Sequence, residues 1–406
     1  MINWINEMLG TASASDQCLT GDLAVLDVRD LVDKSGNSPA DTKKKIDQGI
    51  DMMEQGKRVV VCCDYGISRS NAIAAGILSL SRGISLDKAI GEVIHATGVQ
   101  SIKLEPLRSV RNALQASSVG VADSSLRVLI TGGAGFIGQL LFSELSNVVA
   151  PSRTQVDLTA GALALDLLVK EHGINCIVHL ANPHVYTSNY AMGETLTMLS
   201  NVLDVCREND IRLIYPSSWG MYSAYRTSEL FADNNLPIFP KGPYGETKML
   251  CEALINHHRN LYALRCGLLR SSPLYGETSD RPKFIYSFIS KAKRNEPIKT
   301  HRYINGEPKL DLLYVGDFVS AIVAAIETRF VGDLNIGAGL AVSTRDVAEW
   351  IVAITNSIST INSSLVEDYT ANITMDISLA RKILAWKPTV SWKMGIDKLI
   401  HKLKEK

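Results

Sequence analysis

The chain has 406 residues, of which 46% are hydrophobic, and it carries 42 basic and 42 acidic side chains. This length can hold two or three domains with a core each, and a net charge of zero gives no electrostatic reason to expect a nucleic acid as a partner. No stretch approaches the roughly 18 apolar residues of a membrane span, and the first residues lack the basic and apolar segments of an export signal. We therefore expect a cytoplasmic protein with no membrane partner. The seven cysteines lack zinc-ligand spacing, which predicts reduced thiols and no bound metal.

A first, α/β domain is predicted over residues 1–115. Residues 23–28 and 58–62 are short apolar runs of the kind that form buried strands. Between them, residues 40–55 predict a helix that a glycine closes. A second helix of small and apolar residues is expected soon after the second strand.

A cysteine, five residues and an arginine lie between this strand and this helix, in Cys63-Asp-Tyr-Gly-Ile-Ser-Arg69-Ser70. The amides of such a loop can surround a phosphate group at a helix N-terminus, where the same field stabilises a thiolate. In this interpretation Cys63 attacks phosphorus, Ser70 assists release of the thiolate, and Arg69 offers a planar fork to two phosphate oxygens. The expected phosphate-binding residues are Asp64, Tyr65, Gly66, Ile67, Ser68, Arg69 and Ser70. The alternative is a buried cysteine pair that merely ends a strand.

This loop resembles the active-site loop of the cysteine-dependent, dual-specificity type of protein phosphatase, and the resemblance covers most of the first domain. It implies an upstream aspartate as general acid, for which Asp33 is the favoured residue and Asp30 and Asp27 are the alternatives. It also implies a phosphorylated small molecule or a phosphoprotein as substrate. That family usually has a histidine before the nucleophile, where this chain has Cys62. A sensor that binds phosphate without hydrolysing it is therefore the alternative reading of the domain.

Residues 116–125 are small, polar and without period, which predicts a linker. The following domain, 126–406, alternates strand and helix patterns and predicts a Rossmann-type, doubly wound parallel sheet. A strand at 126–130 leads into Thr131-Gly-Gly-Ala-Gly-Phe-Ile-Gly138 and then into a helix, whose N-terminus can hold a pyrophosphate. A dinucleotide is expected there, at Gly132, Gly135, Phe136, Ile137 and Gly138. A simple tight turn is the alternative.

The choice of cofactor is predicted from the second strand of this domain, which ends at Ala150 and is followed by Arg153. An acidic residue at the strand end would select the free ribose hydroxyl of NAD, whereas Arg153 suits a 2′-phosphate. We therefore expect NADP, with NAD possible, and a solvated arginine is the alternative. Asp157 is placed to bond the adenine amino group. The remaining cofactor contacts are expected at Leu158, Leu180, Ala181 and Lys248.

Three residues that can carry chemistry follow in order. Ser218 closes a predicted strand at its carboxyl end, where ligands bind in open α/β sheets. Tyr244 and Lys248 are four residues apart and share one helix face. A nearby ammonium lowers the pKa of a phenol, which lets a tyrosine exchange protons near neutral pH.

Together with the glycine-rich turn, these residues resemble the extended short-chain dehydrogenases/reductases, in the epimerase/dehydratase group that acts on nucleotide-linked sugars. The resemblance covers nearly all of residues 126–406, including later segments such as Leu264-Arg265 and Leu274-Tyr-Gly276. It implies that Tyr244 is the acid/base, that Lys248 binds the nicotinamide ribose, and that Ser218 orients the sugar. It further implies a small C-terminal part that binds a nucleotide-sugar substrate, and a possible homodimer through the helix of Tyr244 and Lys248.

Two departures from that group narrow the expected activity. The serine strand lacks the Asp-Glu pair of 4,6-dehydratases, so epimerisation or reduction is expected rather than dehydration. The arginine expected before Asp311 is Leu310, and Lys309 or Arg302 is expected to replace it as a diphosphate contact. We thus expect a bifunctional enzyme, with two alternatives: a dehydrogenase regulated by a phosphate sensor, or a noncatalytic dinucleotide-binding scaffold.

Overall fold

The computed structural model describes residues 2–16, 23–33, 36–84, 86–99, 102–118, 126–183, 188–277 and 282–402. The chain divides into two compact units. Unit 1 consists of Met1–Ser125, Arg207–Asp210 and His258–Leu264, and unit 2 consists of Leu126–Cys206, Ile211–His257 and Arg265–Lys406. Among the described helices, none combines the length and the apolar character that a membrane span requires.

Unit 1 has a four-stranded sheet whose central strands are parallel. Its strands are β1 (Asn3–Trp4), β2 (Leu9–Ser13), β3 (Leu23–Asp27) and β4 (Arg58–Cys63), and its helices are α1 (Pro39–Glu54), α2 (Arg69–Arg82), α3 (Leu86–Thr97) and α4 (Leu104–Ser118). The order is β1-β2-β4-β3, with β1 antiparallel to β2 and the other pairs parallel. Helix α1 begins where the Ser38 side chain accepts a hydrogen bond from the amide of Asp41, 3.0 Å away, and Pro39 occupies the first turn.

Side chains alternate across the buried strand β4, so each face of the sheet has its own core. Val59, Val61 and Cys63 pack against the helices, whereas Val60 and Cys62 pack on the opposite face. The loop that follows β4 therefore starts from a fixed strand and ends at the N-terminus of α2.

Helix α4 extends into the segment that was predicted to be a linker. It continues to Ser118 and so includes the first residues of the segment 116–125. The apolar spacing of Leu107, Val110 and Leu114 on the core side explains why the helix continues. Residues 119–125 lie outside the described part of the chain.

Unit 2 contains the remaining described elements, apart from the last residues of two helices, which the division assigns to unit 1. Its strands are β5 (Val128–Thr131), β6 (Val148–Val149), β7 (Cys176–His179), β8 (Arg212–Ser218), β9 (Leu230–Ala232), β10 (Cys266–Ser271), β11 (Leu274–Tyr275), β12 (Ile298–Tyr303), β13 (Lys309–Asp311), β14 (Leu313–Tyr314), β15 (Gly332–Ile336), β16 (Ala341–Ser343), β17 (Ile361–Val366) and β18 (Ile373–Met375). Its helices are α5 (Phe136–Glu144), α6 (Leu163–His172), α7 (Asn189–Glu208), α8 (Gly242–Tyr262), α9 (Lys283–Lys293), α10 (Val315–Glu327), α11 (Thr344–Ile354), α12 (Ser378–Leu384) and α13 (Trp392–Lys402), with a short 3-10 helix at Trp219–Tyr222.

The main sheet of unit 2 is parallel throughout, in the order β15-β10-β8-β7-β5-β6. The chain starts at β5, adds β6 on one side, and then crosses to β7 on the other side. This confirms the predicted Rossmann-type sheet. Ligands of such sheets bind beyond the carboxyl ends of the strands, at the point where the direction of winding changes. Here that point lies between Thr131 at the end of β5 and His179 at the end of β7.

Smaller sheets and a second core complete unit 2. The pairs β11-β14 and β12-β17 and the four-stranded sheet β16-β13-β18-β9 are separate from the main sheet. A core that includes Ile289, Val347 and Leu399 joins α9, α11 and α13. It lies in the C-terminal part of the unit, apart from the core of the main sheet.

Candidate active sites

The glycine-rich turn lies between β5 and α5, at the change of winding direction. Gly132 has a φ of +71°, and a Cβ there would lie only 2.7 Å from the amide nitrogen of Ala181. A Cβ on Gly138 would collide with the carbonyl oxygen of Gly132. Gly135 caps α5 without a side-chain hydrogen bond, which leaves the first N–H groups of the helix to an anion. The turn therefore fits a dinucleotide pyrophosphate.

A cleft of about 1660 Å³ opens at this edge of the main sheet. Its volume exceeds the roughly 300–1,000 Å³ typical of a single small-molecule pocket, so it has room for a dinucleotide and a second large ligand. It is lined by the predicted residues Gly132, Gly135, Phe136, Ile137, Arg153, Asp157, Leu158, Leu180, Ala181, Ser218, Tyr244 and Lys248. Gly138 is the exception among the predicted cofactor residues, because it packs behind the turn.

Ser218 and Tyr244 flank the same small residue, Gly220. The Ser218 hydroxyl oxygen accepts a hydrogen bond from the Gly220 amide, 3.1 Å away, and caps the short 3-10 helix. A Cβ on Gly220 would lie 3.4 Å from both Ser218 Oγ and Tyr244 Cδ1. The structure thus brings the serine and the tyrosine, 26 positions apart in the sequence, to one wall of the cleft.

Lys248 lies one helical turn after Tyr244, and its side chain is buried. Its ammonium donates hydrogen bonds to the Tyr215 hydroxyl at 3.2 Å and to the Pro216 carbonyl at 3.1 Å. Burial raises the pKa of Tyr215 well above its usual range, so that phenol stays neutral. The ammonium is therefore held by neutral groups, and Tyr215 is a contact that the sequence did not indicate.

His179 closes β7 beside these groups. Its Nδ1 lies 2.7 Å from the Thr131 hydroxyl, and its ring stacks on Tyr215 with centroids 6.0 Å apart. Burial, aided by the charge of Lys248, lowers the pKa of His179 to about 3. The imidazole is therefore neutral near pH 7 and is not an acid for the reaction.

The loop after β4 in unit 1 surrounds Cys63. The Cys63 sulfur lies 3.3 Å from the Ser70 hydroxyl. Burial raises the pKa of this thiol, but hydrogen bonds from the Ser70 hydroxyl and from backbone amides of the loop outweigh it, and the pKa is lowered overall. Gly66 has a φ of +68°, and a Cβ there would lie 2.6 Å from the backbone of Ala12 and Ser13. The loop is thus built to stabilise a thiolate.

Arg69 begins helix α2, and both terminal nitrogens of its guanidinium donate hydrogen bonds. NH1 donates to the carbonyls of Arg29 at 3.1 Å and Leu31 at 2.7 Å. NH2 forms an ion pair with Asp64, and Nε lies 3.4 Å from Asp33. Two carboxylates therefore face the edge of Arg69 that was predicted to bind phosphate.

Asp33 is the one member of the three candidate acids that contacts Arg69 in the described part of unit 1. Asp27 pairs with Arg29 at 2.6 Å, and Asp30 pairs with Lys45 at 2.9 Å. Burial raises the pKa of Asp33, but a hydrogen bond from Lys103, 2.8 Å away, and nearby positive charges lower it overall. These contacts therefore favour the carboxylate form of Asp33, and its role as a general acid stays a prediction.

Cys62 lies on the other face of β4 from Cys63. Burial, followed by the charge of Asp27, raises the pKa of Cys62 to about 11. Both cysteines are free thiols. Cys62 therefore does not face the loop.

The family of the chain is shown by its second unit. The model of the NAD dependent epimerase/dehydratase family matches residues 128–337, slightly more than half of the chain. The chain belongs to this family. One relative is a Methanocaldococcus jannaschii protein that is provisionally named a UDP-glucose 4-epimerase. It is 28% identical over 306 residues, which cover 68% of this chain and 98% of the relative. The dTDP-4-dehydro-6-deoxyglucose reductase of Escherichia coli is 27% identical over 311 residues, which cover 68% of this chain and 97% of the reductase.

Solved structures share the fold of this epimerase/dehydratase unit. The crystal structure of the UDP-glucose 4-epimerase of Thermus thermophilus with NAD has a TM-score of 0.60 at 21% identity, and covers 69% of this chain and 99% of that chain. The structure of RMD from Pseudomonas aeruginosa with NADPH has a TM-score of 0.61 at 18% identity, with coverages of 69% and 99%. At these identities the likeness concerns the fold.

Behind the wall of the cleft that carries Ser218 and Tyr244 lies a buried polar network that the sequence did not indicate. Glu252 accepts hydrogen bonds from the Ser217 hydroxyl at 2.6 Å and from Arg270 at 2.7 Å. Arg270 also donates to the Tyr222 hydroxyl at 3.1 Å. Glu252 lies one turn after Lys248, and Ser217 precedes Ser218, so the network fixes the elements that carry the predicted catalytic residues. The spacing of four between Lys248 and Glu252 was the available signal.

The predicted replacements for the missing diphosphate arginine are not where they were expected. Lys309 forms an ion pair with Glu229 at 2.6 Å, and neither Lys309 nor Arg302 is among the cleft-lining residues. Lys283 and Lys402 line the cleft instead. Lys309 belongs to β13, and β13 pairs within a small sheet that is separate from the main sheet.

Proposed function

We propose that the epimerase/dehydratase unit is an NAD(P)-dependent epimerase or reductase of nucleotide sugars. The observation that carries this proposal is the convergence of Ser218, Tyr244 and Lys248 on the wall of a cleft that also contains the glycine-rich turn. The names of the relatives, a UDP-glucose 4-epimerase and a dTDP-sugar reductase, support a nucleotide sugar as the second ligand.

The chemistry of the chain's own residues follows from their positions. A bound nicotinamide would supply hydride transfer. Tyr244 exchanges the proton of the sugar hydroxyl, and Lys248 lies one turn away on the same helix. Ser218 offers its hydroxyl to the same sugar oxygen. Tyr215 and Pro216 hold the ammonium of Lys248 in the wall of the cleft.

Replacement of Tyr244 by phenylalanine tests this role. Proton transfer by a positioned group typically contributes about 10² to 10⁴ in rate, so Tyr244→Phe should lose that factor in kcat and still bind cofactor. The measurement is turnover on a panel of UDP- and dTDP-sugars, with cofactor affinity from fluorescence titration. Tyr225→Phe is a matched control, because the Tyr225 hydroxyl bonds the Pro237 carbonyl and does not line the cleft. Wild-type turnover by Tyr244→Phe would refute the assignment.

The products distinguish the two activities within this proposal. An epimerase returns its cofactor unchanged and yields an isomer of equal mass, whereas a reductase consumes one reduced cofactor for each sugar. Mass spectrometry of the products, together with cofactor absorbance, therefore decides between them.

We further propose that unit 1 hydrolyses phosphate monoesters through Cys63. The supporting observation is the thiolate-stabilising loop, with its lowered Cys63 pKa and its arginine at the start of α2. The thiolate attacks phosphorus, the P–O bond to the ester group breaks, and the expelled alkoxide or phenoxide takes a proton from water. A water molecule then cleaves the P–S bond of the phosphocysteine, which releases phosphate and restores the thiolate. Because the contacts of Asp33 favour its carboxylate form, we expect good leaving groups, such as phenols, to be favoured.

Variants of the neighbouring residues Cys62 and Cys63 test whether unit 1 hydrolyses phosphate monoesters through Cys63. Cys63→Ser should abolish aryl phosphate hydrolysis by the full chain, since a hydroxyl without an adjacent base is a weak nucleophile. Cys62→Ala should retain it, because Cys62 packs on the other face of β4. The rate of hydrolysis should rise with the fraction of Cys63 that is thiolate. This rise should occur at a lower pH than for an ordinary thiol, because the pKa of Cys63 is lowered. If wild type binds phosphate but turns over no substrate, unit 1 is a sensor.

A further inference from the structure

The guanidinium of Arg69 is oriented by neutral groups on one side and by carboxylates on the other. The carbonyls of Arg29 and Leu31 accept from NH1 and fix the plane of the group. The opposite edge, formed by NH2 and Nε, faces Asp64 and Asp33. A planar guanidinium binds two oxygens of a phosphate through such an edge. The phosphate and the two carboxylates therefore need the same atoms.

The two carboxylates differ in how firmly they are held. Asp33 is 28% exposed and also pairs with Lys103 at 2.8 Å. Asp64 is 51% exposed and directly follows Cys63 in the loop. A half-exposed side chain can turn towards water when another anion takes its place. Asp64 is thus the carboxylate that a ligand would displace.

We propose that Asp64 is a specificity-determining residue of this loop, because its carboxylate competes with the ligand's phosphate for Arg69. This inference rests on the proposed function of unit 1, in which Arg69 binds the phosphate. Binding then includes the breaking of the Arg69–Asp64 ion pair, and the displaced carboxylate stays at the rim of the loop, where it repels a dianion. The site accordingly disfavours free phosphate and takes an ester whose remaining contacts offset this cost.

The proposal predicts that removal of one negative charge strengthens phosphate binding. In the full chain carrying Cys63→Ser, which blocks turnover, Asp64→Asn should bind inorganic phosphate at least about tenfold more tightly, since a charge-assisted hydrogen bond no longer has to be exchanged. Asp64→Ser should act in the same direction. Isothermal titration at constant pH and ionic strength provides the affinities.

The matched control is Asp47→Asn. Asp47 is 47% exposed and pairs with Lys43 on α1, so this variant removes the same charge from unit 1 without touching Arg69. Its phosphate affinity should change less than about twofold, as expected for a screened surface charge. An equal gain in both variants would mean that only net charge matters and would overturn the proposal.

The remaining outcomes separate this inference from the proposed function. If Asp64→Asn and its parent bind phosphate equally well, Asp64 is not a competitor, while phosphate binding by the loop stands. If neither binds phosphate, both ideas are wrong. If Asp64→Asn binds more tightly but the wild-type chain hydrolyses no ester, the inference holds for a phosphate sensor and hydrolysis is refuted.

Discussion

The guanidinium of Arg153 lies at the rim of the cofactor cleft, 3.2 Å from Glu194 and 3.9 Å from Asp157. The side chain is 71% exposed, so it can turn to a 2′-phosphate at little cost. The same two carboxylates would repel that phosphate if the arginine were absent. The proposed preference for NADP therefore depends on this one side chain.

Arg153→Ala should weaken NADP binding about tenfold and leave NAD binding nearly unchanged, because only NADP offers the 2′-phosphate to a charge-assisted bond. Fluorescence titration with both cofactors measures this. Arg345→Ala is the control, since Arg345 pairs with Glu349 on α11 and does not line the cleft. An equal loss for both cofactors would contradict the NADP proposal.

Single residues also show where sequence reasoning stops. Tyr244 and Lys248 could be predicted because a helix places residues four apart on one face. The partner of Glu252 could not be predicted in this way: the segment Leu264-Arg265 was matched to the family, but the side chain that bonds Glu252 is Arg270. That contact depends on the register of β10 beside β8, which pairs Arg270 with Ser217. Register between distant strands is a tertiary property.

At the scale of elements, the ends of β5 and β7 are joined by a hydrogen bond between the side chains of Thr131 and His179. The folded-state pKa of His179 is about 3, below the ordinary value of about 6.5 that the unfolded chain has. The unfolded state therefore binds the proton more readily. The stability that the fold gains from neutral His179 is therefore fully present above about pH 6.5 and is lost as the pH falls towards 3.

His179→Gln should therefore reduce the acid sensitivity of unit 2. Wild type should lose up to about 1.4 kcal/mol of unfolding free energy per pH unit below pH 6.5 through this group, and the variant should lose less over the same range. Urea unfolding followed by tryptophan fluorescence between pH 7 and pH 5 measures the difference, because four of the five tryptophans lie in unit 2. Parallel curves for the two proteins would show that His179 is not buried in its neutral form.

Elements with strong local patterns were predictable, and elements defined by pairing were not. The strands β3, β4 and β5 are apolar runs, and the predicted ranges match them within a few residues. The strands β9, β13, β16 and β18 have three residues each and were not predicted. Strands of that length carry no period of their own, so only their partners define them.

At the scale of the whole molecule, alternation of strands and helices was enough to predict the parallel sheet of unit 2, and the family match agrees with it. The candidate residues of both sites were predicted from loops at strand ends and from the helix face that Tyr244 and Lys248 share. The ion pairs of Arg69 with Asp64 and Asp33 were not predicted, because an ion pair depends on side-chain positions in the folded chain. The phosphatase and cofactor roles stay predictions that the variants above test.

The alternation of side chains along β4 separates the surroundings of two neighbouring positions. Cys62 packs against Ala12 and Val60 on one face of the sheet, whereas Cys63 lies beside Ser70 on the other face. A substitution at position 62 therefore alters the packing of the smaller core, and the opposite core and the loop after β4 can keep their arrangement.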